Sequence, residues 1–258
     1  DLDLQSSHLD QLMQSNQDYL NKYVSGQFGY ALLHFRKTRQ LLWRLYPLNT
    51  DQMPYMLALF EKIFKHKMSP AMWQWKYGSD QCKAIGIWCE NALIAHYGGM
   101  GRSVLCFGKP QMAVQIGDVM DDMVNHPKIK KKGPFFQMAA TFLEHYIGYG
   151  KPYLLGFGFP NNRAMKVAER HGLYAETGRM VEIAWDPCSS QPLWLSQLKT
   201  IDQSNINDTW VINAVNQCWH GMGADLYSAI VGVRDWTYLR DRYLNHPQHQ
   251  YRIVLVLS

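Results

Sequence analysis

Charge is scarce in this sequence, as are cysteine and long apolar runs. Acidic and basic side chains make up 18% of the 258 residues against 47% hydrophobic ones, a balance that excludes an intrinsically disordered chain. The formal net charge of +5 is a mild excess. It suits an anionic ligand but is no warrant for a nucleic-acid partner, and none is expected. No apolar stretch approaches the ~20 residues that a membrane-spanning helix needs, so no membrane partner is expected either. The five cysteines (Cys82, Cys89, Cys106, Cys188, Cys218) form no C-x-x-C pair and no cluster with histidine. That removes a disulfide framework and the common zinc sites, and no metal is expected. The thiols are expected to be reduced. With no signal peptide visible, the expected location is the cytoplasm.

What the chain has is bulk, with 13 Met and 9 Trp to fill an interior or line a cleft. Leu9, Leu12, Met13, Leu20, Tyr23 and Val24 fall near one helical face, predicting an N-terminal helical extension over 1–39. Leu41–Tyr46 reads as a first strand. Asn49-Thr50 offers a cap to a helical face of Met56, Leu57, Phe60, Ile63 and Phe64, and a shorter helix is expected over Pro70–Tyr77. Lys83–Cys89 and Ala92–Met100 read as a hairpin turning at Glu90-Asn91, with Val104–Phe107 adding to a sheet edge. Gly98-Gly99-x-Gly101 reads as a flexible strand end; no helix follows to make it a dinucleotide fingerprint. Met112–Val124 is the long central strand. Met138, Phe142 and Leu143 mark the buried side of a later helix, and Met180–Trp185 is the expected last strand of this domain. Pro187, Ser189, Ser190 and Pro192 look like a linker.

The order of elements within Gln115–Leu173 has chemical meaning. The strand runs into Lys128-Ile129-Lys130-Lys131-Lys132-Gly133, and a helix opens at Pro134. Backbone N–H groups at a helix start, the helix dipole and lysine ammoniums together grip an anion such as a pyrophosphate. Proline suits the first helical position, where its missing N–H is not needed. A second strand over Pro152–Phe159 leads to Pro160-Asn161-Asn162-Arg163 and a short helix ending at Arg170-His171-Gly172-Leu173.

This order of parts resembles the GNAT N-acetyltransferase superfamily. Lys130-Lys131-Lys132-Gly133-Pro134-Phe135 stands where that family carries an Arg/Gln-x-x-Gly-x-Gly/Ala loop, with Lys for the first residue and Phe for the last. Leu155–Asn162 looks like its fifth strand and the Asn that follows, and Arg170-His171-Gly172-Leu173 like its helix-ending Gly-Phe signature. The resemblance implies an α/β (α+β) fold, a mixed and mostly antiparallel central sheet flanked by helices, over 40–187. It implies acetyl-CoA as co-substrate and an amine of a small molecule or amino sugar as acceptor, with the oligomeric state open and a homodimer among the options.

The same resemblance implies the site. Lys130, Lys131, Lys132, Gly133, Phe135 and Phe136 hold the pyrophosphate. Met123, Val124 and Asn125 form a strand end whose freed backbone pairs with the pantetheine arm. Asn161 or Asn162 stands at the mouth of the split between the fourth and fifth strands. The family's base is often an acidic residue on the central strand, and Asp118, Asp121 and Asp122 are the candidates. Strict alternation puts Asp121 on one face with Gly117, Val119 and Met123, and Asp118 with Asp122 on the other. Asp121 is preferred and Asp118 comes second; a capping or solvated Asp is the plainer account of each. The family's acid tyrosine falls at Ala168, so another group or solvent protonates the thiolate, or catalysis has been lost. His126 is a base candidate that reads more readily as structural. Trp73, Trp75, Tyr77 and Trp88 read as core first and as acceptor-side walls second.

The end of the chain echoes the start. Met72–Tyr77 precedes a strand at Lys83, and Tyr238–Tyr243 precedes one at Tyr251–Val256. An aromatic-basic-aromatic helix before a strand, twice, predicts a tandem duplication with an incomplete second unit over 193–258 that has no phosphate loop of its own. The competing readings are a catalytically silent acyl-CoA-binding or scaffold protein, a peptidyl or aminoacyl transferase of related tandem fold, and, last, a nucleic-acid binder.

Overall fold

The computed structural model describes residues 43–126, 129, 134–184 and 197–257. The expected N-terminal helix over 1–39, the linker residues Pro187–Pro192 and the loop residues Lys128 and Lys130–Gly133 lie outside them. The chain divides into two compact units: the described parts of Asp1–Gly101 with Val114–Gly158, and of Arg102–Ala113 with Phe159–Ser258.

The first unit is built on a sheet whose strands β1 (Arg44–Leu48), β2 (Lys83–Cys89), β3 (Ala92–Cys106), β4 (Lys109–Asp121) and β5 (Leu155–Gly158) are neighbours in that order. β1 and β2 pair antiparallel, with Leu45 opposite Ile87, and β2 and β3 form the expected hairpin with a bulge at Ile87/Trp88. The fold class is therefore the expected one, a mixed and mostly antiparallel sheet flanked by helices.

Helix α1 (Met53–Phe64) follows a 3-10 turn capped reciprocally by Asn49 and Gln52, and stops where Lys65 turns left-handed. Helix α2 (Pro70–Tyr77) starts from the Ser69 hydroxyl, which accepts the Met72 N–H. Their apolar faces meet in a cluster of Met56, Leu59, Phe60, Trp73 and Tyr77 that also takes in Leu93, Met100 and Met120 of the sheet. Helix α3 (Pro134–Tyr146) buries Met138, Ala139 and Phe142; the Phe142 ring lies 5.1 Å from that of Tyr97 on β3. β3 is thus buried on both faces from Leu93 to Met100.

Two expectations change here. β3 does not fray at Gly98-Gly99-x-Gly101 but runs unbroken to Cys106. The glycines serve close approach: a Cβ at Gly99 would fall 2.4 Å from Val114 and 2.7 Å from Phe142, and one at Gly101 2.4 Å from the Gln81 carbonyl oxygen. The central strand, expected to Val124, ends at Asp121.

The second unit has its own two-stranded sheet, β6 (Gln197–Ile201) antiparallel to β8 (Ile253–Leu257), with Ile201 opposite Ile253. Its core is Ile201, Val211, Val215, Trp236 and Leu244, drawn from β6, from helix α5 (Thr209–Asp225) and from α6 (Trp236–Leu239) with the π turn Arg240–Leu244. Strand β7 (Ile230–Gly232) pairs with the outer end of β3, Val104 opposite Gly232. Helix α4 (Asn162–Arg170) is capped by Asn161. It closes in a Schellman motif, with Gly172 left-handed and the Leu173 N–H reaching the Ala168 carbonyl at 2.9 Å. The strand expected over Met180–Trp185 is not formed in the described part: Met180–Ala184 has no regular structure, and Met180, Val181 and Ile183 are exposed.

Candidate active site

Asp118 is held from two directions. Its Oδ1 and Oδ2 accept from the Lys76 ammonium at 3.0 and 2.8 Å, and Oδ2 also accepts from the Tyr77 hydroxyl at 2.8 Å. Its backbone carbonyl lies 2.7 Å from His96 Nδ1. The helix explains half of this grip. Trp73 and Tyr77, one turn apart on α2, are buried against the sheet, and Lys76 beside Tyr77 is carried to the same place. The other half comes from β3, where Gly98 leaves room: a Cβ there would fall 2.6 Å from the His96 ring and 3.0 Å from Tyr77.

The backbone of Asp118 is left-handed, with φ 48°. That conformation costs a non-glycine residue about 1–3 kcal/mol and clusters at functional positions. Asp118 and Asp122 are held by the neighbouring helices α2 and α1 and Asp121 is not, the grouping that alternation predicts. Asp121, preferred as the base, is exposed, and its carboxylate accepts the Met123 N–H at 2.7 Å. Asp122 is buried instead, where it accepts from Lys62 and, at 2.6 Å, from Asn125, with His126 Nε2 3.7 Å away. Burial opposes its ionisation, but hydrogen bonds from Lys62 and Asn125 and the charges of Lys62 and His126 win, holding it below the ordinary 3.8. His126 therefore stands with a structural ion pair.

Met123–Asn125 is a 3-10 turn, not the expected splayed strand end. The Asn125 N–H goes to the Asp122 carbonyl and the His126 N–H to that of Met123, both at 3.0 Å. Consecutive aspartates explain the change, since their short side chains capture local backbone and side-chain donors and stop the strand. Met123 is buried and Val124 is 76% exposed. Asn125 and His126 line a cavity of ≈ 500 Å³ with Cys89, Glu90 and Ile129.

Further along, Pro134 opens α3 as expected, Phe135 is half-buried and Phe136 exposed. Lys130, Lys131, Lys132 and Gly133 lie outside the described residues. β5 packs beside residues 114–116 and ends at Gly158, whose Cβ position is 3.3 Å from the Ile116 carbonyl oxygen, while β4 continues to Asp121. Asn161 and Asn162 belong to the second unit, where the Asn161 side chain accepts the Ala164 N–H at 2.9 Å and Asn162 opens the helix. Ala168 is buried and offers no hydroxyl. Among the described residues no three His, Cys, Asp or Glu side chains assemble as a metal site.

Trp73 and Tyr77 are core, with Tyr77 lending its hydroxyl to Asp118, while Trp75 and Trp88 are half-buried. Sequence reasoning missed Lys76 and His96. Lys76 carried no signal, but His96 did: it is an ionisable residue inside the apolar run Ala92–Met100.

No curated protein matches the chain. A structure from Enterococcus faecalis V583, a conserved protein of unknown function described as a probable N-acyltransferase, is similar with TM-score 0.54 and 14% identity. The likeness covers 84% of this chain and 52% of that one, so the chain spans about half the length of that relative. The aminoglycoside acetyltransferase AAC(6')-Iy in complex with a bisubstrate analogue, CoA-S-monomethyl-acetylneamine, matches with TM-score 0.43 and 15% identity over 57% of this chain and 99% of its own. Residues 44–173, from the first residue of β1 to the Schellman residue closing α4, match the sequence model of the acetyltransferase (GNAT) domain. The likeness first read from the loop and the Asn-to-Gly element thus extends over the whole span from β1 to α4, and the chain belongs to the GNAT acetyltransferase family.

Proposed function

We propose that the chain is an N-acetyltransferase that moves an acetyl group from acetyl-CoA to an amine of a small molecule or amino sugar, with Asp118 rather than Asp121 serving the amine. The observation that carries this is the Asp118 carboxylate, held by Lys76 and Tyr77 on a left-handed residue where β4 runs on past the end of β5. An amine must be neutral to attack a carbonyl carbon, and a carboxylate at this place takes its proton directly or through a water. Acetyl-CoA supplies the activated thioester. The lysines of the 128–133 loop and the first turn of α3 would hold its phosphates as point charges and backbone donors. Membership of the GNAT acetyltransferase family supports the reaction class.

The second unit reads as the opening of another copy. Apart from the short β7 between α5 and α6, the order β6–α5–α6–β8 parallels β1–α1–α2–β2, and in each the outer strands pair antiparallel with a helix-borne apolar cluster against them. Ala168 favours a second reading, an acyl-CoA-binding protein without turnover, because the position offers no acid for the thiolate. A free thiol near pKa 8.5 departs without much help, which keeps the transferase first.

The test is release of CoA thiol from acetyl-CoA across a panel of primary amines that includes aminoglycosides, beside calorimetric titration with CoA. Thiol release with one or more amines supports transfer. Binding without release supports the silent reading, and neither would overturn both.

A further inference from the structure

His96 is 1% exposed, and its Nδ1 lies 2.7 Å from the Asp118 carbonyl oxygen. Among the described residues its Nε2 has no hydrogen-bond partner. Only one neutral tautomer suits this setting. With the proton on Nδ1 the ring donates to the carbonyl and leaves a bare lone pair at Nε2. With the proton on Nε2, two lone pairs would face each other across 2.7 Å and a donor would be buried unmade. Protonating both nitrogens would bury a charge as well as that donor. Burial therefore lowers the affinity of the ring for a second proton; Lys76 adds to this, and the hydrogen bond and charge of Asp118 oppose it.

The carbonyl that His96 holds belongs to the left-handed residue whose carboxylate is held by Lys76 and Tyr77. β3 thus grips the backbone of Asp118 and α2 its side chain. A strained residue persists only when its surroundings over-determine it. We infer that His96, as the Nδ1–H tautomer, is a positioning residue: it clamps the Asp118 carbonyl, keeps that residue left-handed and so fixes where the carboxylate stands. The groups facing the ring are Asp118, Lys76 and Tyr77, the last in an edge contact at 5.7 Å between ring centroids. The catalytic half of this inference rests on the role proposed for Asp118; the tautomer and the left-handed backbone do not.

Substitutions separate the two ring nitrogens. Asparagine carries its amide nitrogen at the branch point of Nδ1, and glutamine carries it at the reach of Nε2. In thiol release from acetyl-CoA with an accepted amine, His96→Gln and His96→Leu should lower kcat at least tenfold with KM for acetyl-CoA unchanged. His96→Asn should recover most of that loss. In the His96→Leu background, Asp118→Asn should cost little more, because a displaced carboxylate has already stopped serving. Nitrogen-15 imidazole spectra of the wild-type chain near neutral pH, with the His96 signal assigned by its loss in His96→Asn, should show a proton on Nδ1 only. A proton on Nε2 overturns the inference, as does a His96→Asn variant that is folded and no better than His96→Gln. If the wild-type chain releases no thiol with any amine, the proposed function falls, and the imidazole spectrum still decides the clamp.

Discussion

Replacing two neighbouring aspartates by asparagine should have opposite consequences, although the sequence ranks them the other way. In Asp121→Asn the side chain keeps an oxygen for the Met123 N–H. Only charge assistance is lost, about 0.5–1 kcal/mol, and activity should stay within about threefold. In Asp118→Asn the Lys76 ammonium loses its counter-charge, with side chains 21% and 14% exposed for Lys76 and Asp118. Breaking a fully buried pair costs about 3–5 kcal/mol and an exposed one about 0–1, so this half-shielded pair should cost about 1–3. Removal of the proton acceptor should lower kcat by roughly 10²–10⁴ beyond that. The double variant Lys76→Met with Asp118→Asn separates the two effects. It removes both charges, so much of the stability should return while activity stays lost. The assays are urea unfolding followed by tryptophan fluorescence and thiol release at saturating acetyl-CoA. An Asp118→Asn enzyme with full activity beside a dead Asp121→Asn would refute the assignment and restore the order read from sequence.

Gly99→Ala should destabilise the first unit by about 1–3 kcal/mol in the same urea titration, because the new methyl meets Val114 and Phe142 well inside contact distance. Asn161→Ala removes the cap of α4 and should cost about 1 kcal/mol, read as a lower thermal midpoint, with CoA affinity as a separate readout of any further role. Gly133→Asp puts a negative charge where the loop is proposed to meet phosphate, and should weaken CoA at least ~10-fold by calorimetry. Acid should destabilise the fold in two stages. His96 has a lowered pKa in the folded chain, so the unfolded chain binds its proton first and stability falls as pH drops below about 6.5. Asp122, also lowered, adds its loss below about 3.8. A flat midpoint from neutral pH down to about 5 would contradict the burial of a neutral His96.

Much of this protein was legible in one dimension because the signals are local. Pro70 announces α2, Asn49 the turn before α1, Glu90-Asn91 the hairpin, and Asn161 with Gly172 the two ends of α4. Each is a contact between residues a few positions apart, so composition and spacing decide it. The strand at Met180–Trp185 failed because an apolar alternation records the wish for a partner and not the presence of one. The strand end at Met123–Asn125 failed because aspartates at 121 and 122 compete for nearby donors, a local effect that the resemblance to a known strand concealed.

The grip on Asp118 rather than Asp121 belongs to the tertiary structure alone. It depends on one left-handed residue, and the groups around that residue are His96, 22 positions away, and Lys76, 42 positions away. No pattern along β4 encodes either contact. The sequence by itself determined that carboxylates would stand at the end of a central strand before a cationic loop. Which one is held among a lysine, a tyrosine and a histidine was decided by packing, because those groups lie 22 to 42 positions away along the chain and meet Asp118 only in the folded sheet and helix.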